Sequence, residues 1–201
     1  MLKLQLKTKN IAPAIIRNIA GALKKSKILV LPTDTIYGLS CLASDAKAIR
    51  RIKKLKGNGA DKPLIVLVSD FKMLKKYVFV SSRQEAQLKK YWLSTRRPTT
   101  VILRHRGRLP RVLTGKSDGL AVRLPKSELL IKIGMSAACP LVSTSLNLSG
   151  HEPLTNLKNL ASYFPNRRLA PDLVVDIGSC RRAPSRLIDL RDAAKPIFLR
   201  K

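Results

Sequence analysis

The chain has 201 residues, enough for one substantial core or two small domains, and an ordinary 45% hydrophobic content. Forty Lys and Arg against twelve Asp and Glu give a formal charge of +28, which calls for a polyanion: nucleic acid first, then an anionic membrane surface or phosphorylated small ligands. Cys41, Cys139 and Cys180 are odd in number and lack CxxC spacing, which excludes a disulfide framework and a zinc site, and no run approaches the ~18 apolar residues of a membrane span.

In chain order, MLKLQLKTKN alternates apolar and polar residues as a strand does. It lacks the apolar centre of a signal peptide, so a cytoplasmic protein is expected. Residues 11–25 read as a helix with Asn10 as N-cap and Pro13 in the first turn. ILVLP (28–32) reads as a buried strand. SDAKAIRRIKKLKG places Ile49, Ile52 and Leu55 on one helical face, with Ser44 or Asp45 as cap and Gly57 as stop. LIVLV (64–68) is a further buried strand, and 84–92 suggests a short helix. TVIL (100–103), LAVRL (120–124), LVST (141–144), LVVDI (173–177), RLIDL (186–190) and IFLR (197–200) are strand candidates. Continuous apolar strands mixed with helices predict one α/β domain over residues 1–201, its sheet covered on at least one face.

Polar motifs interrupt this pattern at strand ends. LVSTSLNLSG (141–150) opens as a strand and runs into Ser143, Thr144, Ser145, Asn147, Ser149 and Gly150. These groups either cap the following turn or hold an acceptor-rich ligand. PTDTIYGL (32–39) reads as a turn that follows its strand in the same way. Lys56 and Lys62 flank GNGAD, a glycine-rich loop where two ammonium groups can meet phosphate oxygens. Arg123 lies inside an apolar strand, where a charge must be paired or bind an anion. Gly115-Lys116-Ser117 lacks the earlier glycine, the preceding strand and the following helix of a P-loop. His105 and His151 are far apart and are expected at the surface.

Together these motifs resemble the YrdC-type threonylcarbamoyl-adenylate synthases, in their single-domain bacterial form, over nearly the whole length. PTDTIYGL resembles the family's N-terminal motif and LKGNGADKPLIVLV its lysine loop. SDGLAVRLP resembles its arginine strand, LVSTSLNLSG its Ser-x-Asn motif, and PSRLIDL with FLR its C-terminal end. The resemblance implies a twisted mixed sheet with flanking helices and an open basic cleft. It implies synthesis of threonylcarbamoyl-AMP and pyrophosphate from L-threonine, bicarbonate and ATP, with Mg²⁺ on the phosphates. The product would pass to a threonylcarbamoyl-transferase complex that modifies adenosine 37 of tRNA. By the same resemblance, Thr35, Arg123, Ser143 and Ser185 would hold threonine or its carbamate. Lys56, Asn58, Lys62, Ser145, Asn147 and Arg200 would hold ATP. No residue is assigned as a nucleophile, general base or metal ligand.

Two stretches and one position depart from the family pattern, the position being Leu67, where longer members carry a histidine. Asn58 stands where the lysine loop usually has Arg, and Thr95-Arg96-Arg97-Pro98 replaces a Trp-Pro-Gly-Pro. Arg96 and Arg97 are therefore candidates to replace the missing cation. The charge makes tRNA or double-stranded RNA a candidate partner, and a basic RNA-binding protein of this fold without synthase chemistry is the second reading. A carbamoyl-transfer module like those of hydrogenase maturation is the third.

Overall fold

The computed structural model describes residues 2–6, 11–57, 64–164, 170–180 and 183–200. Its strands are β1 (Leu2–Gln5), β2 (Leu29–Pro32), β3 (Tyr37–Leu42), β4 (Ile65–Leu67), β5 (Thr99–Arg104), β6 (Gly119–Arg123), β7 (Leu141–Ser145), β8 (Leu173–Asp176), β9 (Arg186–Asp189) and β10 (Ile197–Arg200). They form one mixed sheet in the order β1-β8-β2-β3-β7-β4-β6-β5-β9-β10. β1, β8 and β2 run parallel, as do β4 with β6 and β5 with β9. The remaining neighbours are antiparallel.

The central strands are apolar on both faces because both faces are covered. Along β2, Leu29 and Leu31 join one core while Val30 joins the other. Leu141 and Val142 of β7 split in the same way, as do Leu67 and Val66 of β4. Strand side chains alternate between faces, so a strand buried on both sides reads as an unbroken apolar run. The first core is closed by α1 (Pro13–Lys24) and α6 (Glu128–Ala137), through Ile16, Ile19, Leu23, Leu130 and Ile133. The second is closed by α2 (Ala46–Lys56), α3 (Phe71–Tyr77) and α4 (Ser82–Trp92), through Ile49, Ile52, Leu74, Leu88 and Trp92.

The helix signals held where capping chemistry was explicit. Asp45 accepts from Ala48 N at 2.9 Å to start α2, and Gly57, with φ of 73°, ends it. α4 starts two residues before its expected position because Ser81 and Gln84 form a reciprocal capping box. Asn10 lies outside the described residues; the residue that precedes α1 is Ala12, which offers no side-chain cap, and Pro13 sits in the first turn. α3, α6, α5 (Arg111–Thr114) and α7 (Leu160–Tyr163) went unread. Three of these are a turn or two long, and α6 begins without a side-chain cap to announce it. Its packing against α1 decides the matter.

The main correction concerns PTDTIYGL. Only its first half is a turn: Tyr37 to Leu42 form a fully buried strand between β2 and β7. Tyr37 explains the cost of placing a phenol there. Its hydroxyl donates to Gly178 O at 2.8 Å, with Asp176 Oδ1 at 3.2 Å, and accepts from Ile177 N at 3.0 Å. Burial pushes that phenol well above its ordinary range. Gly115-Lys116-Ser117 joins α5 to β6, with no strand before it and no helix after it. The three cysteines are buried, and none forms a disulfide among the described residues. Among the described residues no helix is long and apolar enough to cross a membrane.

Candidate active site

Polar residues at the ends of β2, β3, β6 and β7 meet β9 and β10 around a cavity of about 330 Å³. Thr35, Lys56, Arg123, Ser143, Ser145, Asn147, Ser185 and Arg200, all singled out in the sequence, line it. Asn58 and Lys62 lie outside the described residues. Four cations line the cavity, Lys53, Lys56, Arg123 and Arg200, and no carboxylate does so among the described residues.

The hydroxyl run and the lysine loop are one structure. Lys56, in the last turn of α2, donates to Ser145 O at 3.0 Å, Ser145 Oγ at 3.3 Å and Asn147 Oδ1 at 2.5 Å. Ser145 Oγ also donates to Asn147 Oδ1, and Asn147 Nδ2 donates to His151 O, both at 2.5 Å. Ser149 N donates to Lys56 O at 2.8 Å, which fastens the helix end to the loop. The capping reading and the ligand reading of LVSTSLNLSG therefore meet: the side chains hold the loop and also face the cavity.

On the opposite wall, Thr33 Oγ1 donates to Ile36 O at 2.6 Å and accepts from Thr35 N at 3.0 Å. Its proton is thus committed, so the 2.9 Å contact between the two threonine hydroxyls is donated by Thr35. Next to them Gly38 permits a close approach of β3 and β7. A Cβ there would lie 2.6 Å from Ser143 Oγ and 3.1 Å from Thr144 O.

Arg123 is 3% exposed, and its partner is one the sequence reading missed. Its Nη2 lies 2.9 Å from Oδ1 of Asp34, itself 3% exposed, and Asp34 Oδ2 accepts from Lys126 N at 3.0 Å. Nε of Arg123 has no hydrogen-bond partner among the described residues. Burial pushes the guanidinium below its ordinary value, the Asp34 carboxylate opposes this, and the charge of Arg200 adds to it. An arginine nevertheless stays protonated in a protein. Arg200, on β10, is held by Ser185: Nε donates to Ser185 O at 2.7 Å and Nη2 to Ser185 Oγ at 3.2 Å. Ser185 Oγ in turn contacts Thr100 Oγ1 at 2.9 Å.

Lys53 is the second residue the sequence reading missed. It lies one turn before Lys56 on α2, lines the cavity, and makes no ion pair or hydrogen bond among the described residues. Its spacing from Lys56 was a readable signal, since residues three apart share a helix face. Arg96 and Arg97, the candidates to replace a cation at position 58, are exposed and do not line the cavity.

Comparison with known proteins identifies the family and the fold. The Sua5/YciO/YrdC family model, described as telomere recombination, matches residues 21–201, and the chain belongs to that family. It is 33% identical to the threonylcarbamoyl-AMP synthase of Pyrococcus abyssi over 92% of this chain and 53% of that protein. It is 30% identical to the synthase of Klebsiella pneumoniae over 77% of this chain and 82% of that one. The crystal structure of P. abyssi Sua5 complexed with L-threonine superposes with a TM-score of 0.86 at 29% identity, covering 100% of this chain and 57% of that one. The chain thus spans about half the length of the Pyrococcus protein and most of the Klebsiella one.

Proposed function

We propose that the chain is a nucleotidyltransferase that makes threonylcarbamoyl-AMP from L-threonine, bicarbonate and ATP. The amine nitrogen of threonine attacks the bicarbonate carbon and water leaves, giving a carbamate. A carbamate oxygen then attacks the α-phosphorus of ATP, the bond to the β-phosphate oxygen breaks, and pyrophosphate departs. Both reactants of the second step are anions, so the site must neutralise them before they approach.

The observation that carries this reading is the cavity's charge: four cations and no carboxylate among the described lining residues. Arg123 and Arg200, which line the cavity, suit the carboxylate and carbamate. Lys53 and Lys56 suit the phosphates as point charges. Thr35, Ser143 and Ser185 offer hydroxyls to threonine, and Ser145 and Asn147 to the nucleotide. No His, Cys, Asp or Glu lines the cavity among the described residues, so the protein's part is to position and neutralise. Among those residues no three His, Cys, Asp or Glu side chains gather to hold a metal. A Mg²⁺ ion would therefore take its ligands from the nucleotide phosphates, where it would neutralise charge on the leaving group.

Threonylcarbamoyl-AMP is an activated carbamoyl donor, and its consumer is a transferase acting on an adenosine of tRNA. The test is pyrophosphate release by purified protein in the presence of ATP and bicarbonate, with and without threonine. Release that requires threonine supports the reading, and release indifferent to threonine overturns it.

A further inference from the structure

Two adjacent threonines on β5 face opposite ways. Val101 and Leu103 belong to the second core, so alternation puts Thr99 on their face and Thr100 on the other. The hydroxyl of Thr99 is spent on structure: it donates to Arg97 O at 3.2 Å and accepts from Arg186 Nη2 at 3.1 Å. Thr100 is fully buried, stands outside the lining of the cavity, and meets Ser185 Oγ at 2.9 Å. Val101 pairs with Val122 across the β5–β6 hairpin, and one step further the same register sets Thr100 opposite Arg123. Thr100 thus lies behind the site, between the strand that carries Arg123 and the segment that carries Ser185.

Counting protons decides which way the Thr100–Ser185 bond runs. An arginine can only donate, so Ser185 Oγ accepts from Arg200 Nη2 at 3.2 Å. If Ser185 also donated to Thr100, the Thr100 proton would have no acceptor among the described residues, in a place closed to solvent. A buried hydroxyl proton left in that way costs free energy that a bonded one does not. If Thr100 donates, its proton is used and both lone pairs of Ser185 Oγ are filled. The proton of Ser185 is then left to point into the cavity that Ser185 lines. Only this polarity satisfies every group. It makes Ser185 a pure donor, able to meet an anionic oxygen and unable to receive an amine.

We propose that Thr100 is a positioning residue for the threonine end of the site. By donating to Ser185 Oγ it turns the serine proton toward the carboxylate or carbamate oxygen that Arg123 and Arg200 attract. Thr100 itself touches no substrate and acts through Ser185. The role rests on the synthase reading, which supplies the anionic ligand.

The experiment measures pyrophosphate release against threonine and against ATP, with thermal melting of the same samples. It compares wild type, Thr100→Val, Thr100→Ser, Ser185→Ala, the Thr100→Val/Ser185→Ala double variant and, as a control on strand packing, Thr99→Val. Thr100→Val keeps the shape and removes the donor. It is expected to raise the Michaelis constant for threonine roughly tenfold, the worth of one hydrogen bond to a charged group, with kcat and the constant for ATP within about twofold. Thr100→Ser keeps the donor and is expected to stay within about twofold of wild type. In the Ser185→Ala background Thr100→Val should leave the threonine constant unchanged, because its route to the substrate is gone. In that same background it should raise the melting midpoint by about 3 °C, because it removes a buried hydroxyl that has lost its acceptor. Thr99→Val is expected to lower the midpoint without raising the threonine constant.

A wild-type threonine constant in Thr100→Val overturns the proposal, as does a Thr100→Ser variant equally impaired. Additive effects of Thr100→Val and Ser185→Ala, or an equal rise in Thr99→Val, overturn it too. Wild-type protein without threonine-dependent release would instead sink the synthase reading. The melting cycle still decides the hydrogen bond in that case: a midpoint that Thr100→Val leaves unchanged or lowers in the Ser185→Ala background overturns the inferred polarity.

Discussion

β5 and β6 form one hairpin whose two ends carry opposite solutions to the same problem, an anion to be met. At one end Arg123 is buried, paired with Asp34 and set beside a cavity. At the other, Arg104 and Arg106 are exposed, and the Arg106 guanidinium lies 4.2 Å from the centre of the Phe79 ring. Burial makes a cation expensive, so the cavity end has few, and three of them, Lys56, Arg123 and Arg200, are held by named partners. In return its attraction is weakly screened and geometrically selective. Exposed cations cost little and reach far at low salt, but they are screened and discriminate poorly. The net charge of +28 is thus two things: a small, structured part that suits chemistry and a large, solvated part that suits capture.

The comparison breaks most sharply at Arg123. Arg123→Ala leaves Asp34 buried without its counter-ion, a loss of about 3–5 kcal/mol in stability. Threonine-dependent turnover is expected to fall at least ~100-fold, since a carboxylate left unpaired in a partly buried site costs about 2–3 kcal/mol. Steady-state kinetics at a temperature where the variant is folded by circular dichroism separates the two effects. Turnover within threefold of wild type would remove Arg123 from the site.

Gly38→Ala probes the same end by space rather than charge. The added methyl meets Ser143 Oγ, and the midpoint of thermal unfolding is expected to drop by about 5 °C. Ser143→Ala in that background removes the clashing hydroxyl and is expected to restore about half of the loss, a non-additive pair. Additive midpoints would show that the contact with Thr144 O dominates instead.

Lys53 and Lys54 are adjacent on α2, one lining the cavity and one exposed. Lys53→Ala is expected to raise the Michaelis constant for ATP roughly tenfold, about 1.4 kcal/mol, and Lys54→Ala to leave it unchanged. Equal effects of the two would mean that bulk charge, not position, binds the nucleotide. The smallest effect expected is that of salt on turnover. Between 50 and 200 mM salt, turnover should change less than about threefold while RNA affinity falls roughly tenfold, because only the exposed end relies on screened charges.

Much of this was legible in the residues and some was not. Strands buried on both faces announce themselves as apolar runs, and Asp45 and Gly57 mark the ends of α2 chemically. Thr35, Lys56, Arg123, Ser145 and Asn147 stood out because short polar groups or a charge interrupt apolar strands. β3 was hidden because Gly38 and Ser40 break its apolar pattern, and Gly38 is there for the close approach to β7. Asp34 was hidden because pairing between distant segments leaves no local trace; a strand arginine only demands some carboxylate, without saying which. Lys53 was hidden among six basic residues of α2, since composition does not say which face of a helix meets a cavity. The Phe79–Arg106 stack depends on a bridge between segments nearly thirty residues apart, which periodicity cannot reveal.

Mass spectrometry of the products formed with isotope-labelled bicarbonate tests directly whether the cavity joins threonine, bicarbonate and ATP into one molecule. The expected product is an AMP adduct that contains one threonine and one labelled carbon, formed in equal amount with pyrophosphate. ATP breakdown to ADP or AMP without that adduct, at the same rate whether threonine is present or absent, would contradict it.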